Sequence, residues 1–435
     1  MRRILRYFLV FALLFFTIDT LMAQDVKTHK VKKNETFYGI AHDNGLTVDQ
    51  LLAANPGLRN PAELKKGDIL QIPILQRGEN GDVRQRAIRL GVMLPLHADN
   101  NDGQRMVEYY RGVLMACDSL KKEGLSVDVK AWNLAENGDL NAILNDPLAA
   151  NRDLIIGPFY EKFVNQVATF ANNHGIMLLI PFSIHTMEVY SNPYIFQVYQ
   201  NHTDQNESTA RRFAEWFRTY HPIIIDGGDE TSNKGAFTSI LRNQLTAHNV
   251  QYNLTSLKTA DPDFARAFAS NMTNIVVLNT ASITALTATF AKLNTLMRTY
   301  PGVKVSVFGY MEWMPYTSQQ QANFHKYDVY LPAPFYTNLE TPLAQRLQTK
   351  YRWNFHQDMI NILPRFALTG FDHTIFFLKG LHRYGKAFDG IGTSLNYQPS
   401  QTPLKFERMG TGGYQNRSYM FVHYKPDGTI ETITY

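Results

Sequence analysis

Cysteine is almost missing from this chain of 435 residues; Cys117 stands alone. An intrachain disulfide and a cysteine-built metal site are therefore excluded. Cys117 falls on the apolar side of a helical pattern with Val113, Leu114 and Leu120, where it reads as a small buried hydrophobe and not as a nucleophile. An excess of one charge is missing too. Formal net charge is +5, and Arg2, Arg3 and Arg6 against Asp19 supply +2 of it, leaving +3 for the rest. That is no footprint for nucleic acid. The thirteen histidines form no His-Glu-x-x-His pattern. The sequence has no Gly-x-Ser-x-Gly elbow and no complete phosphate-binding Gly-x-x-x-x-Gly-Lys-Ser/Thr loop, since Ala387 follows Gly380–Lys386. Zincin, serine-hydrolase and P-loop chemistry thus lack support, and no metal or cofactor is expected. Asp226-Gly-Gly-Asp229-Glu230 reads as a solvated turn after a strand, and Asn201-His-Thr203 as a chance sequon.

Long apolar runs are confined to the N-terminus. Arg2, Arg3 and Arg6 precede an apolar run from Tyr7 to Ile18, and Leu21-Met22-Ala23 leads to Gln24. Residues 1–23 have the layout of a secretory signal peptide, with a core too short for a comfortable membrane span. Leu21 is bulky for its place before the cut, so an uncleaved anchor stays open. No cysteine lies near the cut, which closes the lipid-anchored route. The mature chain is expected in the periplasm or cell envelope, with no stable membrane span after cleavage.

At 44% hydrophobic and 19% charged, the remainder has a globular composition, and its length calls for two or three domains. Residues 26–75 stand apart, followed by a polar, glycine-containing linker at 76–86. From residue 87 onward short apolar runs alternate with amphipathic stretches. Strands are predicted at 88–94, 127–132, 154–156, 176–180, 223–225, 275–278, 303–308 and 327–331, and helices around 161–174 and 210–220. Near-continuous apolar runs suit parallel strands covered on both faces. The strand–helix alternation predicts an α/β class of doubly wound parallel sheets, and so many strands predict two lobes.

The N-terminal segment reads as a β-α-α-β unit. Thr28–Lys33 is a strand pattern, and Asn34, Glu35 and Thr36 offer capping side chains. Phe37, Ile40 and Ala41 line one helix, which must stop at Gly45. Thr47 caps a second helix with Val48, Leu51 and Leu52, ended by Asn55-Pro56-Gly57. Lys66-Gly67-Asp68 turns into the closing strand at Ile69–Ile72. The set Val31, Asn34, Thr36, Ile40-Ala41, Thr47-Val48, Leu51-Leu52, Asn55-Pro56, Leu64, Gly67-Asp68 and Ile72-Pro73 resembles a LysM module throughout. One departure is Asn34-Glu35, where that family has Gly-Asp. The resemblance implies binding to N-acetylglucosamine-containing glycan such as peptidoglycan, in a groove formed by Asn34, Glu35, Thr36 and Phe37 on one side and Asn60, Leu64 and Lys65 on the other. Phe37 and Leu64 fit a core role as well.

The segment from Ile88 onward resembles the type I periplasmic binding proteins, the fold of leucine-type amino-acid binders. The resemblance rests on Leu154-Ile-Ile-Gly157-Pro158, Asn173-His-Gly-Ile-Met-Leu-Leu-Ile-Pro181, Asn192-Pro-Tyr-Ile-Phe196, Gly370-Phe-Asp-His373 and a closing hairpin over Lys405–Arg417. It implies one lobe from about 87–199 and 330–385, and another from about 200–329 and 386–435. It also places the ligand cleft at Phe159, Tyr160, Glu161, Phe182, Ser183, Glu312, Trp313 and Tyr316. Amino-acid binders hold the ligand carboxylate with small hydroxyl residues. Here only Ser183 supplies one, and Glu161 repels a carboxylate.

These readings predict a non-catalytic peptidoglycan-binding envelope protein. Its large domain, similar to penicillin-binding-protein activator domains, takes a small-molecule ligand in its cleft or docks a cell-wall synthase. The alternative is a solute-binding protein serving an amino-acid-type transporter. A glycan hydrolase needs two opposed carboxylates, for which the sequence offers no signature.

Overall fold

The computed structural model describes residues 26–33, 35–37, 40, 51–52, 54–58, 64–73, 83–391, 395 and 397–435. The expected signal peptide, and residues 76–82 of the expected linker, lie outside them. Two compact units emerge: residues 1–87 with 121–126, and residues 88–120 with 127–435.

In the first unit β1 (Val26–Lys30) pairs antiparallel with β2 (Ile69–Pro73), from Val26 opposite Pro73 to Lys30 opposite Ile69. Alternation along β2 turns Leu70 and Ile72 inward, and Val31, Phe37, Ile40 and Leu51 complete the core. Asn55 pins this core from the side. Its amide donates to the carbonyls of Leu51 and Gln71, and its oxygen accepts from the Gln71 backbone N–H. The Asn-Pro signature is thus a structural staple. Residues 83–85 form a short 3-10 turn.

The large unit holds two seven-stranded sheets. β3 (Ile88–Leu94), β4 (Val127–Asn133), β5 (Leu154–Ile156), β6 (Met177–Ile180) and β7 (Ile195–Gln197) pair in parallel in the order 4-3-5-6-7. In chain order, α1 (Asn101–Lys122) and α2 (Val164–His174) connect strands of this sheet. α3 (His202–Trp216) then leads to the second sheet. That sheet sets β8 (His221–Asp226), β9 (Asn253–Ser256), β10 (Thr273–Leu278), β11 (Lys304–Phe308) and β12 (Val329–Ala333) in the parallel order 9-8-10-11-12. α4 (Lys234–Ala247), α5 (Ile283–Thr299) and α6 (Thr317–Lys326) connect them. The chain returns through α7 (Pro342–Phe355) and α8 (Phe366–Tyr384). It adds β13 (Phe406–Arg408) and β14 (Tyr414–Asn416) to the first sheet, and β15 (Met420–Tyr424) and β16 (Ile430–Thr434) to the second.

The α/β, two-lobed, parallel-dominated architecture matches the sequence expectation, and the apolar residues of the central strands are buried as predicted. The lobe boundaries differ at two places. β14 pairs in parallel with β7, Tyr414 opposite Phe196, and their rings stack at 4.7 Å. Residues 406–416 therefore belong to the first lobe, whereas the expectation gave all of 386–435 to the second. Residues 330–333 lie in β12 and stay with the second lobe.

α1 and α8 approach through glycine. A Cβ on Gly112 would sit 1.9 Å from the Ala367 carbonyl oxygen, and one on Gly370 would sit 2.1 Å from that of Tyr109. The backbones are in contact there, and no larger residue fits.

Candidate functional site

Two places in the chain qualify, one in each unit. In the N-terminal module Glu35 is held by its own turn. Its carboxylate accepts the Lys32 backbone N–H at 2.7 Å and contacts His29 Nε2 at 2.8 Å. The Lys32 bond first, and then His29, pull its pKa below the usual carboxylate value. Glu35 thus performs the turn-closing task of a shorter acidic residue. Phe37 is buried at 2% exposure, so it is core and no groove wall; its ring must fill the space under β2. Leu64 packs on the core edge. Thr36 and Lys65 are exposed. The Lys65 N–H donates to Asp68, fixing the turn into β2. Asn34 and Asn60 lie outside the described residues.

In the large unit the carboxyl ends of β5, β6 and β7 come together, the place where open α/β sheets hold ligands. Gly157, with φ +120°, packs against the Met93 carbonyl and turns the chain out of β5. Phe159 and Tyr160 follow it, Phe182 and Ser183 follow β6, and Tyr199 follows β7. Their rings make one cluster. Phe182 lies 5.8 Å from Phe159, 5.4 Å from Tyr109, 5.6 Å from Phe366 and stacks on Tyr199 at 6.3 Å. Tyr160 meets Phe159 edge-on at 5.0 Å.

Some polar groups behind this cluster are held by hydrogen bonds and others are not. The Ser183 hydroxyl accepts the His185 N–H at 3.3 Å, and its carbonyl accepts from the Gln197 side chain. The Tyr199 hydroxyl is buried without a hydrogen-bond partner among the described residues. Tyr109 and His373 are hydrogen-bonded at 2.9 Å, and burial drives His373 down to about 3, so its ring is neutral at physiological pH. Asp372 accepts the backbone N–H groups of Ser400, Gln401 and Thr402 and the Ser400 hydroxyl. Burial raises it to about 6 against the pull of those bonds. Asp372 therefore anchors the 400–402 loop onto α8. Burial likewise lifts the Cys117 thiol to about 12, consistent with an unreactive side chain.

Of the expected cleft residues, the structure brings together Phe159, Tyr160, Phe182 and Ser183, with Glu161 exposed beside them at the start of a 3-10 turn. It does not bring in the 312–316 group. Trp313 is fully buried in the second lobe, where Nε1 donates to the Ala281 carbonyl at 2.8 Å. Its ring lies under Gly309, so it is core. Glu312 is exposed and pairs with Lys234 at 2.6 Å, an ion pair confined to the second lobe. Tyr316 is half-exposed at the end of the same turn and makes no ring contact with the cluster. The sequence reading missed Tyr109, Tyr199 and Phe366. Tyr199 carried a signal, because it follows its strand as Phe182 follows β6.

Among the described residues, the chain crosses between lobes three times, at 198–201, 334–341 and 417–419. Side-chain amides join these crossings. Gln200 donates to the Asn416 carbonyl, and Asn416 in turn binds Lys405, Ser418 and Pro403. Gln401 accepts from Thr337 and the Arg365 N–H and donates to Thr369.

A LysM-domain family model matches residues 29–73, the span of the two-stranded unit and its staple. Residues 29–73 are a LysM domain. The endolysin of Bacillus phage PZA is 44% identical over 46 residues, 11% of this chain and 18% of the endolysin. Beyond the LysM domain, solved structures share the fold at low identity. A putative branched-chain amino acid ABC transporter protein from Rhodospirillum rubrum aligns with TM-score 0.52 and 15% identity, covering 80% of this chain and 100% of that one. LpoA from Haemophilus influenzae aligns with TM-score 0.51 and 14% identity over 81% of this chain and 59% of LpoA. The large unit has the type I periplasmic-binding-protein fold, and the chain spans 59% of LpoA, less than two thirds of its length. Among the described residues no helix is long and apolar enough to cross a membrane.

Proposed function

We propose that the LysM domain retains this protein on peptidoglycan in the cell envelope and that the two-lobed unit is a non-catalytic docking module for a cell-wall synthase. The observation that carries the reading is the aromatic cluster at the strand ends. Where an amino-acid binder needs free hydroxyls for a carboxylate, Phe182 packs against Tyr109, Phe159, Tyr199 and Phe366. The one small hydroxyl present, that of Ser183, serves a turn. Glycan contact rests on the LysM match, with Thr36, Leu64 and Lys65 as the described groove residues and Asn34 and Asn60 as their expected neighbours. The fold shared with LpoA is the scaffold of this proposal and not its warrant.

A solute-binding role is the second reading. Phe159, Tyr160 and Phe182 stay half-exposed and offer a flat apolar or sugar-like ligand a stacking surface. Thermal unfolding of the full chain with amino acids, sugars and aromatic acids separates the two. A ligand at about a hundred times its dissociation constant stabilises by about 2.7 kcal/mol. The docking reading predicts no shift with any of them, and predicts that the protein raises the rate of glycan polymerisation or cross-linking by a purified synthase. A ligand-specific shift with no effect on synthesis would contradict it.

A further inference from the structure

The three crossings between the lobes meet at one small cavity. Tyr199 of the first crossing, Pro334 of the second, and Ser418 and Tyr419 of the third stand on its wall. Gln205 of α3 and Thr402 join them, the latter from the loop that Asp372 anchors on α8. The cavity is about 20 Å³, above the roughly 10–15 Å³ that one water molecule needs and far below the roughly 300–1,000 Å³ of small-ligand sites. No charged side chain lines it, so nothing on its wall selects an ion.

The hydroxyl groups on this wall are short of partners. The Tyr199 hydroxyl and Thr402 Oγ1 are both buried with no hydrogen-bond partner among the described residues. The Thr402 backbone is fully used, its N–H by Asp372 and its carbonyl by the Tyr397 hydroxyl, so the side chain alone is left over. The Tyr419 hydroxyl accepts from the Gln205 amide. That bond takes a lone pair and leaves the Tyr419 proton to donate. Buried hydroxyls left without partners cost stability, and one shared partner recovers it. A buried water typically makes about three hydrogen bonds, and Tyr199, Thr402 and Tyr419 supply three.

We propose that this cavity is the binding site of a single structural water, hydrogen-bonded to the hydroxyls of Tyr199, Thr402 and Tyr419, and that this water is the pin of the hinge between the lobes. It ties the first and third crossings to a loop held on α8. Bonds through water are remade without loss of backbone pairing, so the crossings pivot about this point as the lobes move.

A crystal structure of the full chain, at a resolution that shows ordered waters, tests the site. One water peak should lie within hydrogen-bonding distance of all three hydroxyl oxygens. Thr402→Ser keeps the hydroxyl and should keep the peak. Thr402→Val has nearly the same shape, removes one of the three bonds and should lose it. No peak in the parent, a direct bond between Tyr199 and Thr402, or a peak that survives in Thr402→Val would overturn the site. Native-state hydrogen exchange reads the hinge role. The N–H groups of Val198, Arg417 and Tyr419 are bonded to the carbonyls of Ile180, Lys405 and Tyr435. In Thr402→Val these three should exchange several-fold faster than in the parent, a larger change than in β10, and in Thr402→Ser they should match the parent. Loss of the peak with no added exchange at the crossings would overturn the hinge role.

Discussion

Tyr109 and His373 Nδ1 are hydrogen-bonded 2.9 Å apart, both residues fully buried, directly behind the ring of Phe182. The pair sets the depth of the aromatic floor, because α1 and α8 are fixed to each other through it. Tyr109→Phe strands a buried imidazole nitrogen and should cost about 1–3 kcal/mol. Removing both polar partners, with Tyr109→Phe and His373→Leu, should cost less than the single change. Chemical denaturation at neutral pH reads both.

The same pair predicts an acid limb. His373 is lowered to about 3 from 6.5, so below pH 6.5 the unfolded chain binds a proton that the native ring refuses. Its contribution is complete above the unfolded value and is lost as pH falls toward 3. Asp372, raised to about 6, acts in the opposite sense, favouring the fold at low pH and losing that contribution as pH rises through about 6. Unfolding free energies measured from pH 4 to 7 should therefore rise with pH less steeply in the Tyr109→Phe, His373→Leu double variant than in the parent.

His423 supplies a second titration at the edge of the other lobe. It lies between Asp328 at 2.6 Å and Glu431 at 3.0 Å, stacked on Tyr330. Burial lowers its pKa, but the two carboxylates outweigh burial and leave it raised above 6.5. A raised histidine stabilises the fold below the unfolded value and loses that contribution as pH passes the folded one. His423→Gln should flatten the decline in stability above pH 6.5. An unchanged slope would mean that the ring carries no proton there.

Two glycines should respond with opposite signs. Gly370→Ala forces a methyl group within 2.1 Å of the Tyr109 carbonyl and should destabilise by about 1–3 kcal/mol or more through backbone displacement. Gly235→Ala, near the start of α4 with nothing within 4 Å, should be neutral or stabilising by up to about 1 kcal/mol.

What the sequence disclosed follows from burial. Leu154–Ile156 is legible because a fully apolar run ends at Gly157, and the LysM residues because Asn55 is fixed by backbone bonding and Val31, Ile40, Leu51 and Ile72 by packing. β9 was not legible. At the sheet edge Asn253 and Leu254 are exposed and Thr255 and Ser256 half-buried, so no apolar run marks it. Trp313 was misread because burial there depends on a 3-10 turn folding the ring under Gly309, a tertiary contact without a local signature. The return of β14 to the first sheet likewise rests on Tyr414 meeting Phe196, 218 positions away in the chain.

Retention on the wall is the claim on which the rest depends, and co-sedimentation with purified sacculi tests it most directly. The intact protein should pellet with sacculi, and deletion of residues 26–75 should leave it in the supernatant with the large unit's unfolding transition unchanged. Equal pelleting of the two forms would contradict LysM-mediated retention, and failure of the intact protein to pellet would contradict wall binding altogether.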